Sequence, residues 1–360
     1  MTTSNLSFSP DWVSPPGSTL NDLIELEGKS LSQFANSMQL GFYELNKIIK
    51  GKVSIDLDLA SKLEEHTGTS AKFWLEREKN YRNSIKKMES KKTLEKNWLS
   101  ALPTADMAKF GWIKTSRNLS EKLTACLRYF DVSSVDEWQS KYNSLLIETA
   151  FRTSQAYDST YEAISSWLRQ GEIEASKIPC QEWCKSKLVN SIPEIRSLTT
   201  IENPNDFLPE LKRILSFCGV ALATARAPQG CRASGATFWP QDNKPILIMS
   251  FRYLSDDHFW FTLFHEIGHL VLHSDHRLIL ETNETKYLDI EKEADNYSEN
   301  VLIPKEHQDE LKTLRANDLR KIVKFSKKLG ISKGIVVGQL QHRGILKKNY
   351  LNKLKVRYSW

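Results

Sequence analysis

The chain has 360 residues, with 50 Lys+Arg against 44 Asp+Glu and a formal net charge of +6 at pH 7. Its 40% hydrophobic and 26% charged composition excludes a wholly disordered, collagen-like or low-complexity protein. No apolar run approaches the roughly 20 residues that span a bilayer, and no secretory signal pattern is present, so we expect no membrane association. Five scattered cysteines indicate a reducing compartment, and we expect a cytoplasmic protein.

Helical patterns occupy the first two hundred residues. A polar lead-in covers residues 1–17 and ends in Pro-Pro-Gly, and apolar residues at helical spacing then predict a bundle of four helices over 18–88. Residues 89–204 are also helical in pattern, with interruptions at three prolines.

The pattern changes after about residue 205, where short apolar runs predict strands. The three predicted strands are Gly219–Ala225, Ala233–Trp239 and Pro245–Ser250. Two further helices are predicted, one from His258 to His273 behind an Asp256-Asp257 cap and one over 287–302. The last fifty residues predict Lys-rich helices broken at Gly330 and Gly334.

Charge is distributed unevenly between the two ends. Residues 1–85 carry 9 Lys+Arg and 11 Asp+Glu, a net of −2, whereas residues 305–360 carry 15 and 4, a net of +11. Such a basic segment binds nucleic acid or an acidic partner, or forms a solvated helix face, and the sequence leaves both alternatives open.

The predicted helix over 258–273 contains the motif H-E-x-x-H. His265 and His269 are four residues apart and therefore share one helix face, where both imidazoles can bind one metal ion. Glu266 lies beside them as candidate catalytic base, because zinc lowers the pKa of a bound water to about 7 and a carboxylate can then take its proton. The cofactor that this motif indicates is Zn²⁺.

A catalytic zinc site needs a third protein ligand. Glu291 and Asp295 lie on one face of the second helix, which allows Glu291 to be that ligand and Asp295 to accept a hydrogen bond from a ligand histidine. Glu293 is the competing choice, and an exposed acidic helix is the alternative without a metal. His273 and His276 are further candidates that we do not assign to the metal.

Residues 31–35 followed by 45–52 have helix-turn-helix spacing, in which the second helix enters the DNA major groove. Gln33 is positioned to bind a phosphate. The candidate DNA-contacting residues of the second helix are Phe42, Tyr43, Asn46, Lys47 and Lys50. Gln39 stands where a turn glycine is usual, and Glu44 would repel phosphate. The alternative is a helical bundle for dimerisation or toxin contact.

The segments FWFTLFHEIGHLVLH and EKEADNYSENVLIP, within residues 205–305, resemble the ImmA/IrrE-type metallopeptidases. The family motif E-x-x-A-[ND]-x-[FY] corresponds to Glu291–Tyr297, and Ser298 departs from the usual Ala. The resemblance implies a compact zincin fold and hydrolysis of peptide bonds, since known members cleave transcriptional repressors.

The N-terminal region resembles the HigA-type antitoxin domain of the Xre-like helix-turn-helix class over about sixty-five residues, through SIDLDLASKLEEHTGTSAKFWLEREKNY. This resemblance implies operator DNA and a cognate toxin as partners, and we expect a homodimer. The expected fold is mostly α, with an N-terminal helix-turn-helix bundle and a C-terminal α+β zincin-like domain. The expected domains are 1–17 (irregular), 18–88 (helix-turn-helix), 89–204 (helical), 205–305 (metallopeptidase-like) and 306–360 (basic, helical).

Three functions follow from these features. The first is a DNA-binding regulator fused to a zinc-dependent endopeptidase that cleaves a protein partner such as a repressor or toxin. The second is a non-enzymatic antitoxin and autorepressor, whose metal site is structural or vestigial. The third is an interaction scaffold with unmetallated histidines, which we rank lowest because such residues rarely assemble without a metal.

Overall fold

The computed structural model describes residues 12–114, 116–150, 160–239, 244–273 and 284–359, with the backbone alone for 143–150 and 284–288. Most of the predicted lead-in, residues 1–11, and the candidate His276 lie outside these ranges. The chain divides into two compact units, Met1–Asn97 and Trp98–Trp360. The finer domain boundaries expected from the sequence remain predictions.

The first unit is built from helices. They are α1 (Pro16–Leu26), α2 (Leu31–Ser37), α3 (Phe42–Ile49), α4 (Leu57–Thr67) and α5 (Ala71–Ala101), the last of which continues past the boundary. Apolar residues that recur at helical spacing bury one face of each, and Leu20, Phe34, Leu45 and Trp74 meet in one core.

A tight turn joins α2 to α3. Ser30 and Gln33 form a capping box that starts α2, since each side chain accepts a hydrogen bond from the other residue's backbone N–H. Gln39 adopts φ +57°, a left-handed conformation that the missing turn glycine would adopt without strain. Gly41 then caps α3. Two short helices therefore follow each other across a four-residue connection.

The second unit contains the remaining helices and all described strands. The helices are α6 (Thr104–Lys109), α7 (Leu119–Phe130), α8 (Val135–Ala150), α9 (Tyr161–Ser176), α10 (Lys185–Ser197), α11 (Pro204–Phe217), α12 (Asp256–Leu272), α13 (Glu284–Leu302), α14 (Gln308–Thr313), α15 (Leu319–Leu329) and α16 (Lys333–His342). The strands are β1 (Ala221–Thr224), β2 (Gly235–Phe238) and β3 (Ile246–Met249). The predicted fold class, mostly α with a C-terminal α+β region, is confirmed. Among the described helices, none has the length and apolarity needed to cross a bilayer.

The three strands form one sheet in the order β1-β3-β2, with β1 parallel and β2 antiparallel to β3. Residues on one face, such as Leu222 and Leu247, join the main core of the unit. On the other face Ile248 packs against Gly171 of α9, where a Cβ would collide with the Ile248 side chain. Because strand side chains alternate between faces, the sheet lies between α9 and the metal-motif helix α12.

The basic C-terminal segment belongs to the same core as α12, to which it contributes Ile322, Phe325 and Val336. Gly330 ends α15 in a left-handed conformation, as predicted. The prediction that Gly334 also breaks a helix is wrong, because Gly334 lies in the first turn of α16. A Cβ at this position would collide with the Asp256 carboxylate, so this glycine serves close helix packing.

Candidate functional site

Helix α12 carries the H-E-x-x-H motif and is buried on almost every side. Its apolar residues, among them Phe264 and Ile267, are part of the main core of the unit. His265, Glu266 and His269 are 7%, 2% and 4% exposed. The helix begins at Asp256, two residues before the predicted start, with Ser255 as its N-cap.

Helix α13 brings its carboxylates against this motif through a close contact. Gly268 faces the backbone of Ala294, and a Cβ there would lie 3.3 Å from the Ala294 Cα. The Ser298 hydroxyl donates a hydrogen bond to the Phe261 carbonyl at 2.9 Å and is completely buried. Ser298, which departs from the family motif, therefore connects α13 to α12 by a buried hydrogen bond.

Glu291 faces both histidines of the motif. The Nε2 atoms of His265 and His269 are 3.1 Å apart, and the Glu291 oxygens lie 3.2 Å from the first and 3.3 Å from the second. Four ligands bound tetrahedrally to zinc at about 2.0–2.1 Å are about 3.3 Å from one another. The spacing of the three candidate ligands therefore matches three corners of such a site.

The Glu291 carboxylate is buried, and neither of its oxygens accepts a hydrogen bond of normal geometry from a described residue. The two imidazoles nevertheless lie within ion-pair distance of it. Burial raises the pKa of Glu291, but the two imidazoles outweigh this effect and lower it. An ionised carboxylate and two imidazoles are the donor set of a catalytic His₂Glu zinc site, so these residues fit the metal.

The other ring nitrogens of both histidines have partners that orient them. His265 donates from Nδ1 to Asp295 Oδ1 at 2.8 Å. The Nδ1 atoms of His269 and His273 are 3.4 Å apart, and His273 Nε2 donates to Glu293 Oε2 at 2.9 Å. The competing carboxylate, Glu293, therefore binds His273 rather than the ligand cluster.

Sequence reasoning missed this His273–Glu293 pair. The available signal was the spacing of four residues from His269 to His273, which repeats the spacing of the motif itself.

Strand β2 passes beside the candidate base. A Cβ on Gly235 would lie 2.9 Å from Glu266 Oε1, and the Thr237 hydroxyl donates to the Glu266 carbonyl at 3.4 Å. Because β2 is an edge strand of the sheet, the carboxylate that would act on a substrate lies next to a sheet edge.

The candidate DNA-contacting residues lie mostly on the outer side of the first unit. Phe42 and Tyr43 are 52% and 74% exposed, and the Lys47 ammonium lies over the Tyr43 ring, 4.6 Å from its centroid. Lys50 is exposed beyond the end of α3, and Asn46 is half-buried. Gln33 is also exposed, but its side-chain oxygen accepts the Ser30 N–H in the capping box.

Comparison with known families matches residues 230–341 to the Peptidase_M78 family, described as the IrrE N-terminal-like domain. The match covers the described strands β2 and β3, helices α12 to α15, and all of α16 except its last residue. No curated protein and no solved structure matches the chain. The helix-turn-helix resemblance of the N-terminal unit stays a prediction. Over residues 230–341 the chain is therefore similar to a zincin-like domain of the metallopeptidase type.

Proposed function

We propose that the second unit is a zinc-dependent endopeptidase that hydrolyses peptide bonds in a protein partner. The observation that carries the proposal is the convergence of His265, His269 and Glu291 beside the buried Glu266, inside a region that matches a metallopeptidase family. His265, His269 and Glu291 would hold Zn²⁺.

Each of the other groups at the site has one role in the proposed mechanism. Zinc held there supplies Lewis acidity, which polarises a peptide carbonyl and makes water easier to deprotonate. Glu266 accepts a proton from the attacking water and then gives it to the leaving amide nitrogen. Asp295 holds the His265 ring in one orientation and His273 does the same for His269, which would leave both Nε2 lone pairs available to a bound ion.

The substrate class follows from the neighbouring strand. An extended peptide segment can pair with a sheet edge by backbone hydrogen bonds. Strand β2 has this edge position and lies beside Glu266, so we infer that an extended segment of a repressor or toxin is the substrate.

The Glu266→Gln variant tests the proposal. We expect this variant to keep near-stoichiometric zinc, because the ligands remain, and to lose at least about a thousandfold in hydrolysis rate. The measurement is cleavage of co-expressed repressor or toxin, with metal analysis of the purified protein. The matched control is Glu306→Gln, which changes an exposed carboxylate of the same unit and should cleave normally.

Two results would contradict the endopeptidase. One is cleavage by Glu266→Gln at the wild-type rate, and the other is full hydrolysis by protein that lacks zinc. Unchanged toxin neutralisation by Glu266→Gln would show that neutralisation does not need hydrolysis, in favour of the non-enzymatic antitoxin.

For the first unit, we propose operator binding by α3 in a homodimer. The exposure of Tyr43 and Lys50 on and just beyond one short helix supports this assignment. Replacing Lys50 with Ala should weaken operator binding about threefold to tenfold. The slope of log binding constant against log salt concentration should fall by about one, because one phosphate contact is lost. Lys62→Ala, on α4, is the matched control. Loss of toxin binding instead, with operator affinity unchanged, would assign this surface to a protein contact.

A further inference from the structure

Two of the five cysteines stand on neighbouring backbone segments of the second unit. The N–H of Cys184, which caps the start of α10, donates to the carbonyl of Cys218, which caps the end of α11, at 3.0 Å. The segments touch beside this bond, since a Cβ on Gly219 would lie 2.4 Å from Trp183 Cα. Backbone pairing of this kind brings two Cα atoms to about 5 Å, within the range of about 4.4–6.8 Å that a disulfide spans.

Cys184 has the environment of a reactive thiol. It stands at the N-terminus of a 13-residue helix, where the helix dipole favours negative charge, and its Sγ lies 3.2 Å from the Ser186 hydroxyl. Hydrogen bonds from Ser186 and from the Lys187 backbone N–H lower the pKa of this thiol. The side chain is only half-buried, so a small oxidant can reach the sulfur.

The other four cysteines have a different environment. Burial raises the thiol pKa of each of them, namely Cys126, Cys180, Cys218 and Cys231. The thiolate is the form of cysteine that attacks an oxidant, and a raised pKa keeps a thiol protonated at neutral pH. Cys184 is therefore the cysteine that should react first.

Cys218 is placed to supply the second thiol. Its side chain is completely buried, and its Sγ donates to the hydroxyl of Ser191, on α10, at 3.5 Å. The thiol therefore already faces the helix that Cys184 begins. Burial is the largest influence on the pKa of Cys218, and the charge of Cys184 raises it further, which indicates that the two sulfur atoms are near each other. Rotation of the side chains about their Cα–Cβ bonds would bring the sulfur atoms together.

We propose that Cys184 and Cys218 form a reversible disulfide when the protein meets hydrogen peroxide. The Cys184 thiolate attacks one peroxide oxygen, so that an S–O bond forms, the O–O bond breaks and hydroxide leaves. The Cys218 sulfur then attacks the resulting sulfenic acid, so that the S–S bond forms, the S–O bond breaks and the hydroxyl leaves with the Cys218 proton as water. Two electrons pass from the thiols to the peroxide, and a dithiol reductant returns them. Neither cysteine belongs to the metal centre, so the proposal is independent of the endopeptidase.

Mass spectrometry of the full chain tests the pair. A small excess of hydrogen peroxide should lower the intact mass by about 2 Da, and dithiothreitol should restore it. Peptide mapping should find Cys184 linked to Cys218. Before oxidation, iodoacetamide at pH 7 should alkylate Cys184 at least about tenfold faster than any other cysteine. A linkage between other cysteines would overturn the proposal, and so would a gain of oxygen without any linkage.

Variants separate the two roles. Cys218→Ala removes the second thiol, so peroxide should leave a sulfenic acid on Cys184 that dimedone traps. Cys184→Ser should slow the loss of titratable thiols in peroxide at least about tenfold, and this half-buried position keeps the test valid if Cys218→Ala fails to fold. Cys180→Ser changes a neighbouring cysteine of raised pKa and is the matched control, which should form the disulfide as the wild type does. Equal rates for Cys184→Ser and the wild type would overturn the proposal.

Discussion

The tautomers of the two motif histidines follow from their hydrogen bonds. A carboxylate only accepts, so His265 carries its proton on the Nδ1 that faces Asp295, and its Nε2 can offer a lone pair to a metal. His273 likewise donates from Nε2 to Glu293, which leaves its Nδ1 to accept from His269. Both Nε2 atoms are therefore suited to bind a cation beside Glu291.

Metal binding at this site should depend on pH. Burial lowers the pKa of His265, but the hydrogen bond to Asp295 and the close carboxylates of Glu291 and Glu266 outweigh this effect and raise the pKa to about 10. Without metal the ring is therefore protonated at neutral pH, and zinc must displace a proton. We expect uptake to release about one proton and the apparent affinity to rise about tenfold per pH unit between about pH 7 and 9.

Titration calorimetry in buffers of different ionisation enthalpy measures this release. Asp295→Asn removes one of the interactions that raise the pKa of His265, and its affinity should depend less on pH. An affinity of the wild type that stays constant across this range would contradict the expectation.

Gly235 allows β2 to approach the candidate base. A Cβ there would lie 2.6 Å from Thr262 Cγ2 and 2.9 Å from Glu266 Oε1, so Gly235→Ala must displace Glu266 or the strand. We expect kcat/KM to fall about 10-fold to 100-fold at unchanged zinc content, because small misplacements of a catalytic group are costly. Gly41→Ala, which meets nothing within 4 Å, is the control. Full activity of Gly235→Ala would show that Glu266 tolerates the contact.

At the scale of elements, the C-terminal strand-like end of the chain anchors the start of α12. Asp256 accepts a hydrogen bond from the Val356 N–H at 3.1 Å and another from the Ser332 hydroxyl. Asp257 forms an ion pair with Lys355 at 2.6 Å, with both side chains 7% exposed. The predicted cap residues therefore hold a distant segment in addition to starting the helix.

Breaking this anchor should destabilise the second unit. Lys355→Ala leaves the Asp257 carboxylate buried without its cation, and we expect a loss of about 3–5 kcal/mol in the free energy of unfolding. Lys355→Met keeps the buried stem and should cost less. Lys353→Ala, an exposed neighbour, should change the stability by less than about 0.5 kcal/mol. Chemical denaturation measures all three, and equal stability of Lys355→Ala and the wild type would contradict the role of the pair.

Most helices and strands were predictable from local pattern, and the errors have a common physical cause. The strands over 221–249 and the helices α12 and α13 lie where apolar periodicity predicts them. Gly334 was misinterpreted because local sequence cannot show that Asp256 of another helix lies against it.

At the scale of the whole molecule, the two units have separate cores. The core of the first contains Leu20 and Trp74, and that of the second surrounds α12 with residues from 188 to 358. In the second core, α12 packs against α13 through the close contact at Gly268 and through the Ser298 hydrogen bond, both made by the chain's own atoms.

Removal of zinc should therefore stop hydrolysis without unfolding the protein. We expect a chelator to lower the unfolding temperature of the second unit by several degrees, since ligand binding stabilises the folded state. The helical content and the transition of the first unit should not change. Circular dichroism and calorimetry, with zinc added back as the control, measure this. Loss of the helical signal on chelation would indicate a structural metal and favour the non-enzymatic antitoxin.

The sequence alone determined the features that depend on local backbone geometry. His265 and His269 share a face because four residues complete about one helical turn, and the acidic front and basic tail are properties of composition. Tertiary structure decided which carboxylate faces the two motif histidines. Glu291 and Glu293 are two residues apart on α13, and only the packing of Gly268 on Ala294 sets which of them faces the histidines. The contact of Gly235 with Glu266 and the ion pair of Lys355 with Asp257 were also decided by tertiary structure. Each joins segments that are distant in the sequence, and such contacts arise only when whole helix and strand faces pack together.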